Sequence, residues 1–343
     1  MKSLNLKAYN QFEVIDTELP EIGNEDVLVR VKAVGICGSD VHGMDGSTGR
    51  RVPPLIMGHE ASGVIEDVGS AVHDWKPGDR VTMDSTVYCG GCDYCGKGRI
   101  NLCDNRQVLG VSCEDYRRHG AFAEYVAVPA RILYRLPDDL AYEHAAMVEP
   151  VSIAVHAFYR SGWQSGQSAV VVGSGMIGLL MIQVLAAKGC EQIFAVDIDP
   201  AKLKLACQLG AHAGFDARDE GLVDQLLQAT GGIGVDHAFE VVGASGPVQA
   251  SIDGVAKGGV VTLIGNVSPE ITVHLQRIIT KELDLRGSCA SSGEYPECLD
   301  LIHRGAINMN AFISSEAPLD EGVQWFQRLY EKEDGLLKVI LKP

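Results

Sequence analysis

The chain is 343 residues long, 46% hydrophobic and 22% charged, with a formal net charge of -16. That length favours two domains over one enlarged core, and the apolar content excludes a disordered or collagen-like chain. The acidic balance, with no sustained Lys/Arg patch, excludes a nucleic-acid groove, since phosphate neutralisation requires a basic field.

The opening MKSLNLKAYNQFEVID is too polar for a secretory signal, and no apolar run approaches a bilayer span. A soluble cytoplasmic protein without membrane or nucleic-acid partners is expected. Up to residue 150, strand signals such as EDVLVRVKAVGIC, ASGVIEDVGS, KPGDRVTM and GAFAEYVAVPA are broken by glycine and proline, the pattern of a β-rich domain with long loops. Two segments here carry metal-ligand residue types. GICGSDVHGMD contains Cys37, Ser39, Asp40 and His42, and IMGHEASG contains His59 and Glu60.

YCGGCDYCGKGRINLC, residues 88–103, follows with Cys89, Cys92, Cys95 and Cys103. Its glycines remove steric obstacles to a tight loop, so four thiolates can converge on one ion. Ten cysteines in so long a chain do not make a disulfide scaffold. Unligated thiols or a redox pair fit paired C-x-x-C spacings plus a fourth cysteine less well than a metal does. Iron-sulfur ligation uses the same sulfur set, but nothing else in the chain suggests electron relay, so a structural zinc closed to substrate is preferred.

Near Tyr142 the rhythm turns helical: YEHAAMVEPVSIAVHAFYR holds Glu149 and places Pro150 where it can open a helix. From Ser168 the strand SAVVVG, the helix MIGLLMIQVLAAKG closed by Gly189, the strand QIFAVD and the helix PAKLKLACQLG ending at Gly210 begin an alternation. It continues through LVDQLLQATGG, VDHAFEVVG, a helix across Gly246 to Ala256, and GGVVTLIG, which implies a parallel sheet with helices on both faces. VVVGSGMIG supplies Gly173, Gly175 and Gly178, with Met176 and Ile177 at the helix entry, in the G-x-G-x-x-G order that lets a pyrophosphate reach backbone N–H groups. Asp197 ends the second strand, nineteen residues after Gly178, placed to accept ribose hydroxyls and to repel a 2′-phosphate, which favours NAD over NADP. A plain strand-to-helix corner with Asp197 as a cap, or an S-adenosylmethionine site, accounts for less of this spacing. Beyond Cys289, helical patches around Cys298 and Phe326 precede a strand, LLKVILK, that can return to the first domain.

Cys37, His59 and a carboxylate from Glu60 or Glu149 can hold zinc and leave one position open. Singly each has a plainer reading: Cys37 as a small buried hydrophobe, His59 as a structural histidine, Glu149 as a helix-side charge. Beside a dinucleotide loop they point together to hydride removal, in which zinc stabilises an alkoxide.

With CGSDVH, GHEASG, GDRV, the four-cysteine segment, EPVS, VVVGSGMIG and VDID spread along its length, the chain resembles the zinc-dependent medium-chain dehydrogenase/reductase family, in its polyol dehydrogenase branch. The resemblance implies an NAD-binding Rossmann domain, residues 151–290, and a discontinuous GroES-like catalytic domain, residues 1–150 with a structural-zinc lobe and residues 291–343, with the active site in the cleft between them. It implies that Cys37 and His59 ligate a catalytic zinc, and that Cys89, Cys92, Cys95 and Cys103 ligate a structural one. Glu60 is then the direct acidic ligand and Glu149 lies near the zinc-bound water, with exchange between them left open. Asp40 orients a ligand, Ser39 and His42 relay a proton, and Lys202 lies near the adenosine end of NAD. A homodimer or homotetramer is also implied.

The reaction so implied is a reversible NAD-dependent oxidation of a secondary alcohol of a small polyhydroxylated substrate to a ketone. The alternatives are an L-threonine 3-dehydrogenase, a simple secondary-alcohol dehydrogenase, a sugar-alcohol-phosphate dehydrogenase, and a non-enzymatic NAD-binding sensor or interaction module. One departure from the family pattern stands out: Gly43 occupies a position that is often aromatic. Arg50 or Arg51 can enter that space, although adjacent loop arginines are more often surface groups.

Overall fold

The valine-rich run DVLVRVKAVG forms the strand Asp26–Gly35, buried along most of its length because sheet neighbours flank it on both sides. The computed structural model describes all residues from Met1 to Pro343, in two units. The first unit comprises Met1–Glu149, Tyr295–His303 and Met309–Pro343. Its main sheet runs Leu133–Arg135, Arg80–Met83, Glu60–Val68, Asp26–Gly35, Lys338–Lys342, Ile313–Pro318, with Tyr125–Pro129 also paired to Asp26–Gly35. The C-terminal strand thus does return, with Ile340 opposite Gly35 and Leu341 opposite Val34. A smaller sheet, Gln11–Asp16, Lys2–Ala8 and Leu55–Ile56, packs through Phe12 on Phe326 at 4.3 Å between ring centroids, and Phe122 meets Phe326 edge-on at 5.5 Å.

The second unit, Pro150–Glu294 with Arg304–Asn308, is the doubly wound α/β fold the alternation predicts. Its six parallel strands lie in the order Ala213–Asp216, Ile193–Asp197, Ala169–Val172, Val235–Glu240, Val255–Leu263, Asp284–Gly287. The first strand in sequence is therefore central and the order reverses beside it, which opens a crevice at the strands' carboxyl ends. The helix Met176–Ala187 is apolar all round apart from Gln183 and is buried from Gly178 to Leu185. The helix Pro200–Gln208 starts at Asp199, whose side chain accepts the Ala201 N–H, with Pro200 in the first turn where its missing donor is not needed. Pro150 likewise falls in the first turn of Val148–Ser161.

Two details differ from the sequence reading. The helix expected across Gly246 to Ala256 is Ser245–Gly254, because Val255 is already paired with Val235 in the sheet. The helix Leu275–Lys281 and the strand Asp284–Gly287 complete the unit where DLRG carries no strand signal of its own. No helix is long and apolar enough to cross a membrane.

Candidate metal centres and nucleotide loop

The segment after Tyr88 turns through the short helices Asp93–Gly96 and Ile100–Leu102, and brings the sulfurs of Cys89, Cys92, Cys95 and Cys103 within 4.8 Å of one another. Cys92 Sγ and Cys95 Sγ are 3.5 Å apart. The backbone N–H of Cys89 donates to Cys103 Sγ at 3.2 Å and that of Gly91 to Cys89 Sγ at 3.4 Å, which are partners suited to thiolates. The Gly91 N–H, with Cys103 and Asn105, holds the Cys89 thiol down at about 6. Desolvation and the neighbouring Cys92 push Cys95 up to about 12. Thiols this crowded resist ionising together, and a dication at their centre reverses that resistance. Tetrahedral zinc with sulfurs at about 2.3 Å sets them about 3.8 Å apart, so the set fits.

The second cluster is built by strand register. Gly35 faces Glu60 in the antiparallel ladder, so Cys37, just past the end of one strand, meets His59, just before the start of the other. Ligand atoms of Cys37, His59 and Glu60 lie within 4.8 Å of one another. The Ser39 hydroxyl donates to Cys37 Sγ at 3.4 Å. His59 Nδ1 lies 3.4 Å from Asp40 Oδ1, so Nε2 is the nitrogen left to ligate. Burial alone would lower the pKa of His59, but the charges of Asp40 and Cys37 prevail and raise it well above the ordinary value. Burial would likewise raise Asp40, yet His59 and Arg51 draw it down to about 2. One soft thiolate, one imidazole and one carboxylate fit zinc with a position open.

Lys338 was not visible as a site residue. Its ammonium, buried in the C-terminal strand, donates to Glu60 Oε1 at 2.8 Å, to Glu60 Oε2 at 2.6 Å and to the Ile36 carbonyl at 3.1 Å. Burial lowers its proton affinity, but Glu60 and Cys37 outweigh that and raise it. Glu149, second residue of Val148–Ser161, stands outside the three-residue cluster and accepts the Ser85 hydroxyl at 3.2 Å. Burial raises its pKa, with His59 lowering it and Glu60 raising it further. His42 is exposed on the helix Gly38–Gly43, one turn beyond Ser39, and its carbonyl accepts the Ser47 hydroxyl at 3.1 Å. Arg50 is exposed, whereas Arg51, the other arginine that could enter the space beside Gly43 or face solvent, is buried against Asp40, which supplies the carboxylate that a guanidinium out of water needs.

In the second unit Gly173 adopts φ +100°, and a Cβ on Gly178 would overlap the Gly173 carbonyl, so this turn admits glycine at both places. Gly175 caps the helix that Met176 and Ile177 begin. Asp197, at the tip of its strand, accepts the Ser174 N–H at 2.6 Å and the Asp199 N–H at 2.9 Å, tying the loop to the acidic residue. Lys202 lies part-buried in the helix Pro200–Gln208. The turn presents backbone N–H groups and a helix N-terminus to an anion, and the carboxylate to a diol.

Residues 23–138 match the family model for the alcohol dehydrogenase GroES-like domain, and residues 177–304 that for zinc-binding dehydrogenase. The chain is 31% identical over 347 positions to sorbitol dehydrogenase of Bacillus subtilis (strain 168), covering 100% of this chain and 97% of that protein. It is 34% identical over 349 positions to D-arabitol-phosphate dehydrogenase of Enterococcus avium, with coverage of 100% and 97%. A crystal structure of a zinc-binding dehydrogenase from Sinorhizobium meliloti 1021, bound to NADP, superposes with a TM-score of 0.92 at 32% identity, covering 100% of this chain and 99% of that one.

Elemental analysis of purified protein is expected to find about two zinc ions per chain, falling to about one in Cys95→Ser together with a lower melting temperature, because a structural zinc contributes folding free energy. A Cys95→Ser protein that keeps both ions would remove the lobe's metal assignment.

Proposed function

The chain belongs to the zinc-binding dehydrogenase family with an alcohol dehydrogenase GroES-like domain, as a zinc- and nicotinamide-dependent enzyme, and from that premise we propose that it oxidises a secondary hydroxyl of a polyol or sugar derivative to a ketone, reversibly, with NAD. The observation that carries the reading is the cluster of Cys37, His59 and Glu60 at one sheet end. When bound there, zinc supplies Lewis acidity that lowers the proton affinity of a hydroxyl, and the nicotinamide accepts hydride.

Cys37, His59 and Glu60 hold the zinc. Lys338 neutralises Glu60, and Glu149 is the second carboxylate available when Glu60 stays with Lys338. Ser39, exposed and bonded to Cys37 at rest, accepts the substrate's hydroxyl proton as it releases its own toward His42. His42, exposed one turn further along, passes the proton on to solvent. The loop Gly173, Gly175, Met176, Ile177 and Gly178 cradles the pyrophosphate, Asp197 takes the ribose hydroxyls, and Lys202 lies near the adenosine end. The four-cysteine lobe serves the fold alone.

The names of the sorbitol and D-arabitol-phosphate relatives support a polyhydroxylated substrate. The second of them also favours a phosphorylated sugar alcohol as the alternative, for which Arg50 is exposed and Arg51 is already engaged by Asp40. A cytoplasmic location fits thiols that must stay reduced to hold metal. A homodimer or homotetramer fits the edge strand Asp284–Gly287, whose Leu285 is 38% exposed and whose preceding helix exposes Leu275 and Ile279 at 64% each.

NADH formation is expected to be fastest, and strongly stereoselective, with pentitols, hexitols or their phosphates, because a site that pairs hydroxyls penalises a missing or misplaced one. Cys37→Ala and His59→Ala should abolish it. Better turnover of L-threonine or a 2-alkanol than of every polyol would overturn the substrate class, and an inert panel with intact NAD binding would favour the sensor reading. Titration with both nucleotides should show NAD preferred over NADP and that preference weakened in Asp197→Gly. Preference of the unaltered enzyme for NADP, the nucleotide bound by the Sinorhizobium relative, would contradict it. Light scattering should give a dimer or tetramer that Ile279→Asp weakens; a monomer at micromolar concentration would refute the assembly.

A further inference from the structure

We propose that Arg51 is a positioning residue for the Cys37–His59 centre, seated there by Gly43. The inference rests on Cys37 and His59 holding zinc. Arg51 is 4% exposed, and a guanidinium cannot shed its charge, so its burial demands acceptors. Its Nε and Nη2 donate to Asp40 Oδ1 at 3.2 and 2.9 Å, the same oxygen that faces His59 Nδ1 at 3.4 Å. Nη2 also approaches the Ser39 hydroxyl at 3.4 Å. Because Arg51 only donates, Ser39 must accept there and direct its own proton to Cys37 Sγ. One side chain therefore sets the partners of two of the three ligands: the carboxylate behind His59 and the hydroxyl beside Cys37. Nη1 donates to the Arg50 carbonyl at 3.1 Å.

The backbone holds the arginine in place. Arg51 forms a bridge with Ser112, with the Val52 N–H donating to the Ser112 carbonyl at 3.1 Å and the Ser112 N–H to the Arg50 carbonyl at 3.3 Å. From there the stem crosses directly over Gly43. A Cβ at that position would stand 2.5 Å from Arg51 Cγ and 3.2 Å from Thr48 Oγ1. Gly43 and Arg51 are thus a matched pair, and an aromatic residue at position 43 excludes this arginine. The absence of a ring there is the space through which the guanidinium reaches Asp40.

The test is zinc release from the loaded enzyme to the chelator 4-(2-pyridylazo)resorcinol, in which the phase absent from Cys37→Ala marks this centre. Arg51→Met is expected to speed that phase by about tenfold to a hundredfold, the usual scale for a lost partner of a metal ligand, and to leave the lobe's phase unchanged. Arg51→Lys should restore part of the difference. Gly43→Ala should speed the same phase, and the double variant should go no faster than Arg51→Met, since both changes remove one interaction. Release at the wild-type rate in Arg51→Met, equal acceleration of both phases, or multiplying effects in the double variant would each overturn the proposal while leaving the zinc centre standing. A Cys37→Ala protein that loses no phase would overturn both.

Discussion

The register between two antiparallel strands organises everything else in the first unit. With Gly35 opposite Glu60, the ends of Asp26–Gly35 and Glu60–Val68 deliver the Cys37 thiol to the same point as the imidazole and carboxylate of the adjacent His59 and Glu60, which lie in a separate segment of the chain. A slip of one residue would turn each side chain to the opposite face of the sheet, part Cys37 from His59 and take Glu60 away from Lys338. Buried apolar residues along both strands, Val27, Val29, Val31, Val34, Ala61 and Ile65, oppose that slip. The core therefore does more than stabilise the unit, because its pattern sets the geometry of the metal centre.

Around that point, buried charges are arranged in opposed pairs. Asp40 is matched by Arg51 and faced by His59, and Glu60 is matched by Lys338, with the side chains of both ion pairs at most 5% exposed. Removing one member of such a pair leaves its partner uncompensated in a poorly solvated place, at a cost of about 3–5 kcal/mol. Negative charge is thereby held in fixed positions around a cluster of side chains that would otherwise repel one another. Glu60 is the member of this set with two suitors, a lysine and a dication.

How much was legible in the sequence depended on distance along the chain. The four cysteines and the glycine loop each lie within one short segment, so spacing alone disclosed what they can bind, and the valine-rich strands and apolar helices announced both fold classes. Lys338 reaches Glu60 from 278 residues away, and in LLKVILK it reads as the outward half of an ordinary alternation. It is buried because Ile313–Pro318 and Asp26–Gly35 flank its strand, a fact no local pattern contains. Nothing local distinguishes Arg51 from Arg50, yet Arg51, bridged to Ser112, is buried and Arg50 is exposed. The sixth strand of the second unit, Asp284–Gly287, is short and polar, and only the ladder beside it makes it a strand.

The return of the C-terminal strand has a consequence for biosynthesis. A ribosome delivers Cys37, His59 and Glu60 early, then makes the entire second unit before Lys338 emerges. Throughout that interval the carboxylate of Glu60 lacks its lysine, and the edge of Asp26–Gly35 that will receive Lys338–Lys342 has no partner. The nascent chain can close its four-cysteine lobe and its nucleotide-binding sheet while still attached, since each is contiguous or nearly so. The candidate metal centre belongs to the other class, completed only when Lys338–Lys342 emerges, so a chain stopped before Lys338 would carry a finished nucleotide-binding sheet, an open strand edge and an unneutralised Glu60.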